Sequence, residues 1–323
     1  MKKLLVMVSA LTAAVFSAAK ADISTSGSYG FAAISGGDVA GGDTASTSGT
    51  LFMQGGAISF AMSTTTAGGM TVSTSAGASL DSNDSDSTKG VTGLANVTFA
   101  ADGFSLQVGD VDQVGDGTGH VGNVASDMVD NGGYTVSGIA TGTGDTEGYG
   151  FVASTAVGSA SVSLSYLFDK NNSAVNNAET SSGDYASGLS VSMPMGDLTI
   201  GVGYASTTGG TSVNETTQGV SVAYALPAAT MKVGYESSDL STDASTMAVS
   251  FSGSLDADTT WAIGYTDGEQ GTASSTRTEA KISRSLGGGV SVYGELQSLS
   301  GSSAGSGGTG AGTNMAVGTT VAF

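Results

Sequence analysis

Apolar residues recur at every second position along most of this chain, and small polar residues stand between them. Residues 161–168 read Ser-Val-Ser-Leu-Ser-Tyr-Leu-Phe, and residues 198–204 read Leu-Thr-Ile-Gly-Val-Gly-Tyr. A period of two predicts β-strands with one apolar and one polar face. The polar faces consist mainly of Ser, Thr and Gly, which have too little volume to fill a protein core. The pattern therefore favours a sheet with lipid on one side and water on the other.

The composition also favours strands over helices. The chain has 52 Gly and only 2 Pro, with abundant Ser, Thr, Ala and Val. Gly, Ser, Thr and Val are weak helix formers, whereas β-branched residues suit a pleated sheet. An acidic disordered chain is the alternative, but such a chain does not place Val, Leu, Phe and Tyr at every second residue.

The N-terminus has the pattern of a secretory signal peptide. Lys2 and Lys3 precede the apolar stretch 4–19, and the small residues of Ala19-Lys20-Ala21 offer a cleavage site before Asp22. The apolar stretch is shorter than the ~20 residues of a spanning helix. We predict that residues 1–21 are removed and that the mature chain is 22–323. No later apolar run is long enough for a transmembrane helix.

Charge and cysteine content exclude several classes of protein. The predicted mature chain has six basic residues and 28 acidic ones, a formal charge of −22. Binding to nucleic acid needs a basic surface for the phosphates, so nucleic acid is excluded as a partner. The absence of cysteine excludes disulfides, thiolate chemistry and Cys-based metal sites.

The alternating segments predict sixteen strands, with fourteen or eighteen as the alternatives. Tight turns alternate with longer polar loops, and the longest loop is the third, from 111 to 146. An even strand count places both termini at the end with the tight turns, where the first and last strands pair. The predicted strands are 22–34, 50–63, 70–80, 91–99, 104–110, 147–155, 160–168, 184–193, 198–205, 217–226, 230–236, 245–253, 259–266, 277–285, 290–298 and 314–323.

A closed barrel explains these strands better than a soluble sandwich. Two packed sheets need inner faces that fill a core about 10 Å thick, but only one face is apolar here. A closed sheet pairs every backbone group, as hydrocarbon requires, and sixteen strands enclose a water-filled channel. We therefore predict an all-β protein, a transmembrane antiparallel β-barrel that forms a pore for ions and small hydrophilic solutes.

Three segments carry a resemblance to a known family. They are Ala57-Ile-Ser-Phe-Ala-Met-Ser-Thr-Thr-Thr-Ala-Gly-Gly-Met-Thr-Val72, Ala101-Asp-Gly-Phe-Ser-Leu-Gln-Val-Gly-Asp110 and the terminal Phe323. Together with the strand pattern of 22–323, they resemble the Gram-negative general porins of the alphaproteobacterial type. The resemblance implies a homotrimer in the outer membrane, with lipid and lipopolysaccharide around it, inserted by the barrel-assembly machinery. It also implies that the long third loop folds inward and narrows the pore.

The porin family usually has an arginine-rich wall opposite that loop, whereas this chain has two arginines. Acids of the third loop would make the narrow part of the pore cation-preferring; a solvated acidic loop is the alternative. On the strands, charged residues opposite the apolar phase should face the lumen, since lipid would destabilise them. The predicted pore-lining residues are Asp110, Asp112, Asp116, Asp127, Asp130, Lys232, Arg277, Glu279, Lys281 and Glu295, and Phe323 is the predicted assembly signal.

Two other functions compete with the pore. A secreted, acidic Gly/Asp-rich calcium-binding surface protein would explain the Gly-Gly-Asp sequences at 36–38 and 41–43, but no nonapeptide repeat recurs in register. A barrel enzyme would need a base–nucleophile pair, and the single histidine, His120, lies in a Gly-rich loop. We predict no enzyme activity and no cofactor. Calcium or another divalent cation could bind loosely at surface loops, for example at Asp81, Asp84 and Asp86.

Overall fold

The computed structural model describes residues 22–36, 49–81, 91–92, 96–119, 121, 124, 147–169, 185–208, 215–239, 243–301 and 312–323. Within these ranges the chain consists of strands joined by turns and bends. The described part contains no helix of the length and apolarity needed to cross a membrane. The predicted signal peptide, residues 1–21, lies outside the described residues.

The described residues form sixteen antiparallel strands. The fourth strand has two segments, and both pair with the third strand. The strands are β1 (Asp22–Gly36), β2 (Gly49–Thr65), β3 (Thr71–Asp81), β4 (Val91–Thr92 and Asn96–Ala101), β5 (Phe104–Asp112), β6 (Glu147–Val157), β7 (Ala160–Asp169), β8 (Tyr185–Met195), β9 (Leu198–Thr208), β10 (Glu215–Ala225), β11 (Ala229–Ser238), β12 (Ala244–Ser254), β13 (Thr259–Gln270), β14 (Ala273–Gly287), β15 (Val290–Gly301) and β16 (Gly312–Ala322).

The sheet closes on itself. Each strand pairs with the next one along the chain, and β1 also pairs with β16, from Ser28 opposite Ala322 to Gly36 opposite Asn314. Gly27 and Phe323 extend this seam by two backbone hydrogen bonds, of 2.8 and 3.0 Å. Closure leaves no free sheet edge, so each strand finds backbone partners on both sides. The predictions of sixteen strands and of pairing between the first and last strands are confirmed.

Connections at the end with both termini are short. They are 66–70, 102–103, 158–159, 196–197, 226–228, 255–258 and 288–289. Gly196 takes a φ of +63° in its two-residue turn, a conformation that costs glycine little. At the opposite end most connections are longer, and the third, 113–146, is the longest. The predicted strands 259–266 and 277–285 leave a loop at 267–276, and this loop is wrong, because β13 continues to Gln270 and β14 begins at Ala273.

The two faces of the sheet differ as the alternation predicts. On β9, Val202 and Tyr204 are 52% and 46% exposed on the outer face, whereas Gly203 and Ala205 are buried on the inner face. The described residues do not form a central apolar core. One small inner cluster joins Val111, Leu167 and Ala186 near the point where β5 leads into the third loop.

Aromatic rings stack along the outer face near the end with the long loops. The Tyr166 ring lies 6.3 Å from both the Phe151 and the Tyr185 ring, and Phe31 stacks on Phe52 at 6.0 Å. All five side chains alternate with inward-facing positions. They form part of an aromatic band where the outer face would leave the hydrocarbon.

Candidate functional site: the inner wall and the start of the third loop

Charged side chains line the inner wall of strands β10 to β15. This part of the wall is described in full along each strand, and on its inward phase lie four carboxylates and three bases. Most are buried among neighbouring wall side chains, while Lys232 is exposed to the interior. The seven residues are Glu215, Lys232, Glu236, Arg277, Glu279, Lys281 and Glu295.

Two of the three bases have carboxylate partners on the same wall. Arg277 Nε lies 3.5 Å from Glu279 Oε2, and Lys281 Nζ lies 3.3 Å from Glu295 Oε1 across the β14–β15 pair. Lys281 Nζ also lies 5.9 Å from the centre of the Tyr293 ring. Because Arg277 and Lys281 each have a carboxylate beside them, these two pairs add little net positive charge to the lumen.

The third loop begins by turning across the inner wall. Gln113 Nε2 donates to the backbone oxygens of Ser187 on β8 and Ser206 on β9, at 2.7 and 3.1 Å. The Val114 N–H donates to Ser165 Oγ on β7 at 2.9 Å. These part-buried bonds join the start of the loop to three strands and fix the direction in which the chain leaves β5.

Two wall carboxylates hold the loop further along. Glu236 Oε2 accepts the Gly119 N–H, and Glu279 Oε2 accepts the Val124 N–H, both at 3.1 Å. Glu236 is fully buried, and a buried carboxylate needs such donors because it has lost its water. Gln297 also donates to Glu279 Oε1, at 3.3 Å. The described loop residues therefore follow the inner wall from β7 to β14.

The acids of the third loop that were predicted to line the pore do not all lie in the same part of the structure. Val111 belongs to the inner cluster, so Asp110 and Asp112 fall on the outward phase of β5, with Phe104 and Val108. The prediction that these two acids line the pore does not agree with this phase. The predicted strand ends at Asp110, whereas β5 continues to Asp112.

Asp116 lies in the loop segment that crosses the wall. Asp127 and Asp130 lie outside the described residues, so their predicted pore-lining role stays a prediction.

Sequence reasoning missed some residues of this site. Glu215 is buried on the inward phase of β10, where Ser238 Oγ donates to its Oε1 at 2.7 Å. Glu215 alternates with Thr217 and Gly219 along the same face of β10, and this alternation could have predicted that Glu215 faces the lumen. Gln113 and Ser165 had no local signal, because their role depends on contacts between segments 51 or more residues apart.

No group of three or more His, Asp or Glu residues in the described ranges is placed to hold a metal ion. Asp84 and Asp86 lie outside those ranges, so the calcium site considered from the sequence stays a prediction.

A closed sheet with an apolar outer face, a polar inner face and a loop held against the inner wall defines a transmembrane β-barrel channel. The profile of the Gram-negative porin family matches residues 6–314. The chain therefore belongs to this family, as its resemblance predicted, and it is a protein of the bacterial outer membrane. Family and fold point to a channel rather than an enzyme.

Solved porin structures have a similar fold. The anion-selective porin from Comamonas acidovorans is 14% identical, with a TM-score of 0.69 over 94% of this chain and 100% of that chain. A loop-deleted OmpT of Vibrio cholerae is 15% identical, with a TM-score of 0.68 over 94% and 99%. A variant of the Rh. blastica porin is 19% identical, with a TM-score of 0.64 over 94% and 100%. At these identities the likeness shows the fold alone. No curated protein matches the chain in sequence.

Proposed function

We propose that ions and small hydrophilic solutes diffuse passively through the barrel and that cations are preferred. The observation that carries the preference is the charge of the inner wall. Strands β10 to β15 place four carboxylates and three bases on the inward phase, and Arg277 and Lys281 each lie beside one of those carboxylates. A lumen of this kind has no arginine-rich face to attract anions.

The charge of the whole chain acts in the same direction. Six basic residues against 28 acidic ones in 22–323 leave the barrel and its loops strongly negative. A negative wall raises the local cation concentration within about one Debye length, ~10 Å at 0.1 M salt. Asp116, on the loop segment over the wall, adds to this potential. The anion selectivity in the name of the Comamonas acidovorans porin belongs to that protein.

We also propose that the barrel works as a homotrimer surrounded by outer-membrane lipid and lipopolysaccharide and inserted by the barrel-assembly machinery. The outer face supports this by exposing large apolar residues on β2 and β16, on either side of β1, such as Phe52, Met315 and Val317. Such a face suits contact with acyl chains or with a second copy of the barrel. Passive diffusion requires no cofactor.

Conductance of the purified protein in planar bilayers tests the proposal. We expect discrete current steps and, in a KCl gradient, a reversal potential whose sign reports cation preference. A reversal potential of the opposite sign in dilute KCl would reject the cation preference and leave the channel itself in place. The absence of current steps from folded, heat-modifiable protein would reject passive diffusion.

A further inference from the structure

Four glycines form the part of the inner wall on which the third loop begins. Gly188, Gly203, Gly219 and Gly234 lie one on each of β8, β9, β10 and β11, and all four are buried on the inward phase. Gly203 and Gly219 are direct cross-strand partners. We call this set the glycine seat.

The loop backbone occupies the space that side chains would fill at these positions. A Cβ added to Gly203 would overlap the backbone oxygen of Gly115 and the side chain of Thr118, and one added to Gly188 would overlap the backbone oxygen of Val114. A change of rotamer cannot relieve an overlap with backbone atoms. Any larger residue would therefore force the loop away from the wall.

The other two glycines of the seat meet the loop in the same way. A Cβ on Gly234 would overlap the backbone oxygen of Gly119, and one on Gly219 would lie 2.6 Å from the Gly119 nitrogen. Since Glu236 Oε2 accepts the Gly119 N–H at 3.1 Å, a displaced loop would also lose this bond to a fully buried carboxylate.

The loop presents glycines of its own to the wall. Gly115 has a φ of +94°, and a Cβ on it would overlap the backbone oxygen of Tyr204 and lie 2.6 Å from that of Leu189. A Cβ on Gly119 would overlap the backbone oxygen of Tyr235. Backbone therefore packs directly on backbone, and both sides of the contact require glycine.

We infer that the glycine seat fixes how closely the third loop approaches the wall and thereby sets the free cross-section of the lumen. The four glycines are positioning residues: they act on the channel through the loop. This inference rests on the proposed function only where it concerns ion flow, since the contact between loop and wall is a property of the fold.

Gly201 provides a matched comparison. It lies two residues from Gly203, on the same strand and the same face. A Cβ on Gly201 would meet the Ser221 hydroxyl at 2.5 Å, a group that can rotate away, and Thr118 Cγ2 at 3.6 Å, an ordinary contact. A side chain is therefore tolerated at Gly201 on the same face of the same strand, so the requirement for glycine at Gly203 comes from the loop backbone that lies on it.

A disulfide can report the contact without measuring current. The chain has no cysteine, so Thr118→Cys with Gly201→Cys introduces one defined pair. The 3.6 Å distance between Thr118 Cγ2 and a Cβ at Gly201 brings the pair close to the spacing that a disulfide requires. We expect the folded, heat-modifiable protein to form this disulfide in most molecules under mild oxidation. A pair that stays reduced in the folded protein would overturn the inference.

The seat is tested by a third substitution in this double-cysteine protein. Gly203→Val should lower the cross-linked fraction several-fold. The control is Gly294→Val on the outer face of β15, where the nearest atom to an added Cβ is 3.7 Å away, and it should leave cross-linking unchanged. Gly119→Ala creates the overlap from the loop side without changing any strand, so it serves if Gly203→Val does not fold. Undiminished cross-linking in the folded Gly203→Val protein, or in Gly119→Ala where it replaces Gly203→Val, would overturn the inference.

Conductance then connects the seat to ion flow. Gly203→Val should lower the single-channel conductance, because the loop is pushed off the wall into the lumen, whereas Gly201→Ala should keep the wild-type value. Equal conductance of Gly203→Val and wild type would overturn the role of the seat in setting the lumen. If the wild type passes no current but Gly203→Val still lowers the cross-linked fraction, the proposed function is wrong, while the contact between the glycine seat and the loop is supported.

Discussion

At the residue scale, a shift of one position along a strand exchanges lipid for water. Lys232 and Val233 are neighbours on β11, yet Lys232 lies on the inward phase with Glu236, while Val233 is 38% exposed on the outer face. In an ordinary soluble sheet the exposed side would be the polar one. Here the exposed side is apolar, which is the inversion that a lipid environment requires.

Two separate variants, one that places a charge at Val233 and one that removes the charge at Lys232, test which face of the sheet contacts lipid. Val233→Lys places a charge on the lipid face near the middle of β11, so the free energy of unfolding should fall by about 2–4 kcal/mol. Unfolding in guanidinium chloride from lipid vesicles measures the change. The control, Lys232→Val, should leave stability nearly unchanged because the inner wall accepts a small side chain. Equal losses in both variants would contradict the assignment of the two faces.

The turn before β13 holds the clearest perturbed carboxyl. The pKa of Asp256 lies below its usual value, first because the Asp258 N–H donates to Oδ1 at 2.9 Å, then because Thr259 bonds to the side chain, with a smaller effect of Arg284. A lowered pKa stabilises the fold above the pKa of the unfolded chain, and this stabilisation is lost as pH falls through the folded value. Asp256→Asn should therefore be slightly less stable than wild type at pH 7 and equal to it in strong acid. A stability difference that persists after the folded carboxyl has been protonated in acid would contradict this.

The alternation of β5, continued beyond Val108, could have predicted that Asp110 and Asp112 lie on the outward phase. Phe104 and Val108 set the outward phase, and Asp110 and Asp112 continue it. They were expected in the lumen because two acids beside a long loop look like loop residues. Near the rim of a barrel, an outward-facing side chain lies beyond the hydrocarbon, so an acid there is tolerated. The apolar alternation in the sequence therefore ends before the strand does.

At the scale of whole elements, alternation predicts strand centres well and strand ends poorly. The segment 267–276 consists mainly of Gly, Ser, Thr and other polar residues, which predicts a loop, yet β13 and β14 continue through it to a two-residue turn. Strands that extend beyond the membrane have water on both faces, so their sequence need not alternate. The path of the described start of the third loop was beyond local pattern, since it depends on hydrogen bonds to strands 51 or more residues away.

Phe323, which follows the closing strand β16, contributes to the pairing of that strand with β1. Phe323 exchanges two backbone hydrogen bonds with Gly27, and a Cβ on Gly27 would overlap its ring. The ring therefore lies over β1 at the seam, and Phe323 as a whole residue is 73% exposed. An aromatic ring in this position suits the interface between lipid and water.

Deletion of Phe323 should consequently lower the amount of heat-modifiable protein in the outer membrane several-fold and leave export from the cytoplasm intact. Fractionation followed by electrophoresis of unheated samples measures both quantities. Phe323→Tyr is the matched control, because it keeps an interfacial ring and should assemble normally. Wild-type levels of folded protein after the deletion would show that the terminal ring is dispensable for assembly.

At the scale of the whole molecule, a period of two and a one-sided polarity were enough to predict a closed barrel of sixteen strands, with fourteen or eighteen as the alternatives. The reason is physical: hydrocarbon allows only structures that satisfy every backbone group, so few architectures fit the pattern. Ion preference has no comparable constraint. It depends on the sum of wall, loop and rim charges, and a few side chains can shift it.

The sum of these charges should also determine how ion preference depends on salt. If the lumen is negative, the reversal potential in a KCl gradient should show the strongest cation preference in dilute salt and a weak one near 1 M, where the Debye length falls to ~3 Å. Asp116→Asn removes a carboxylate from the loop segment over the wall, so it should weaken the preference in dilute salt. Asp110→Asn is the matched control on the outward phase of β5 and should leave the reversal potential at its wild-type value. Equal effects of the two substitutions would mean that the general negative charge of the protein, and not the lumen, selects the ion.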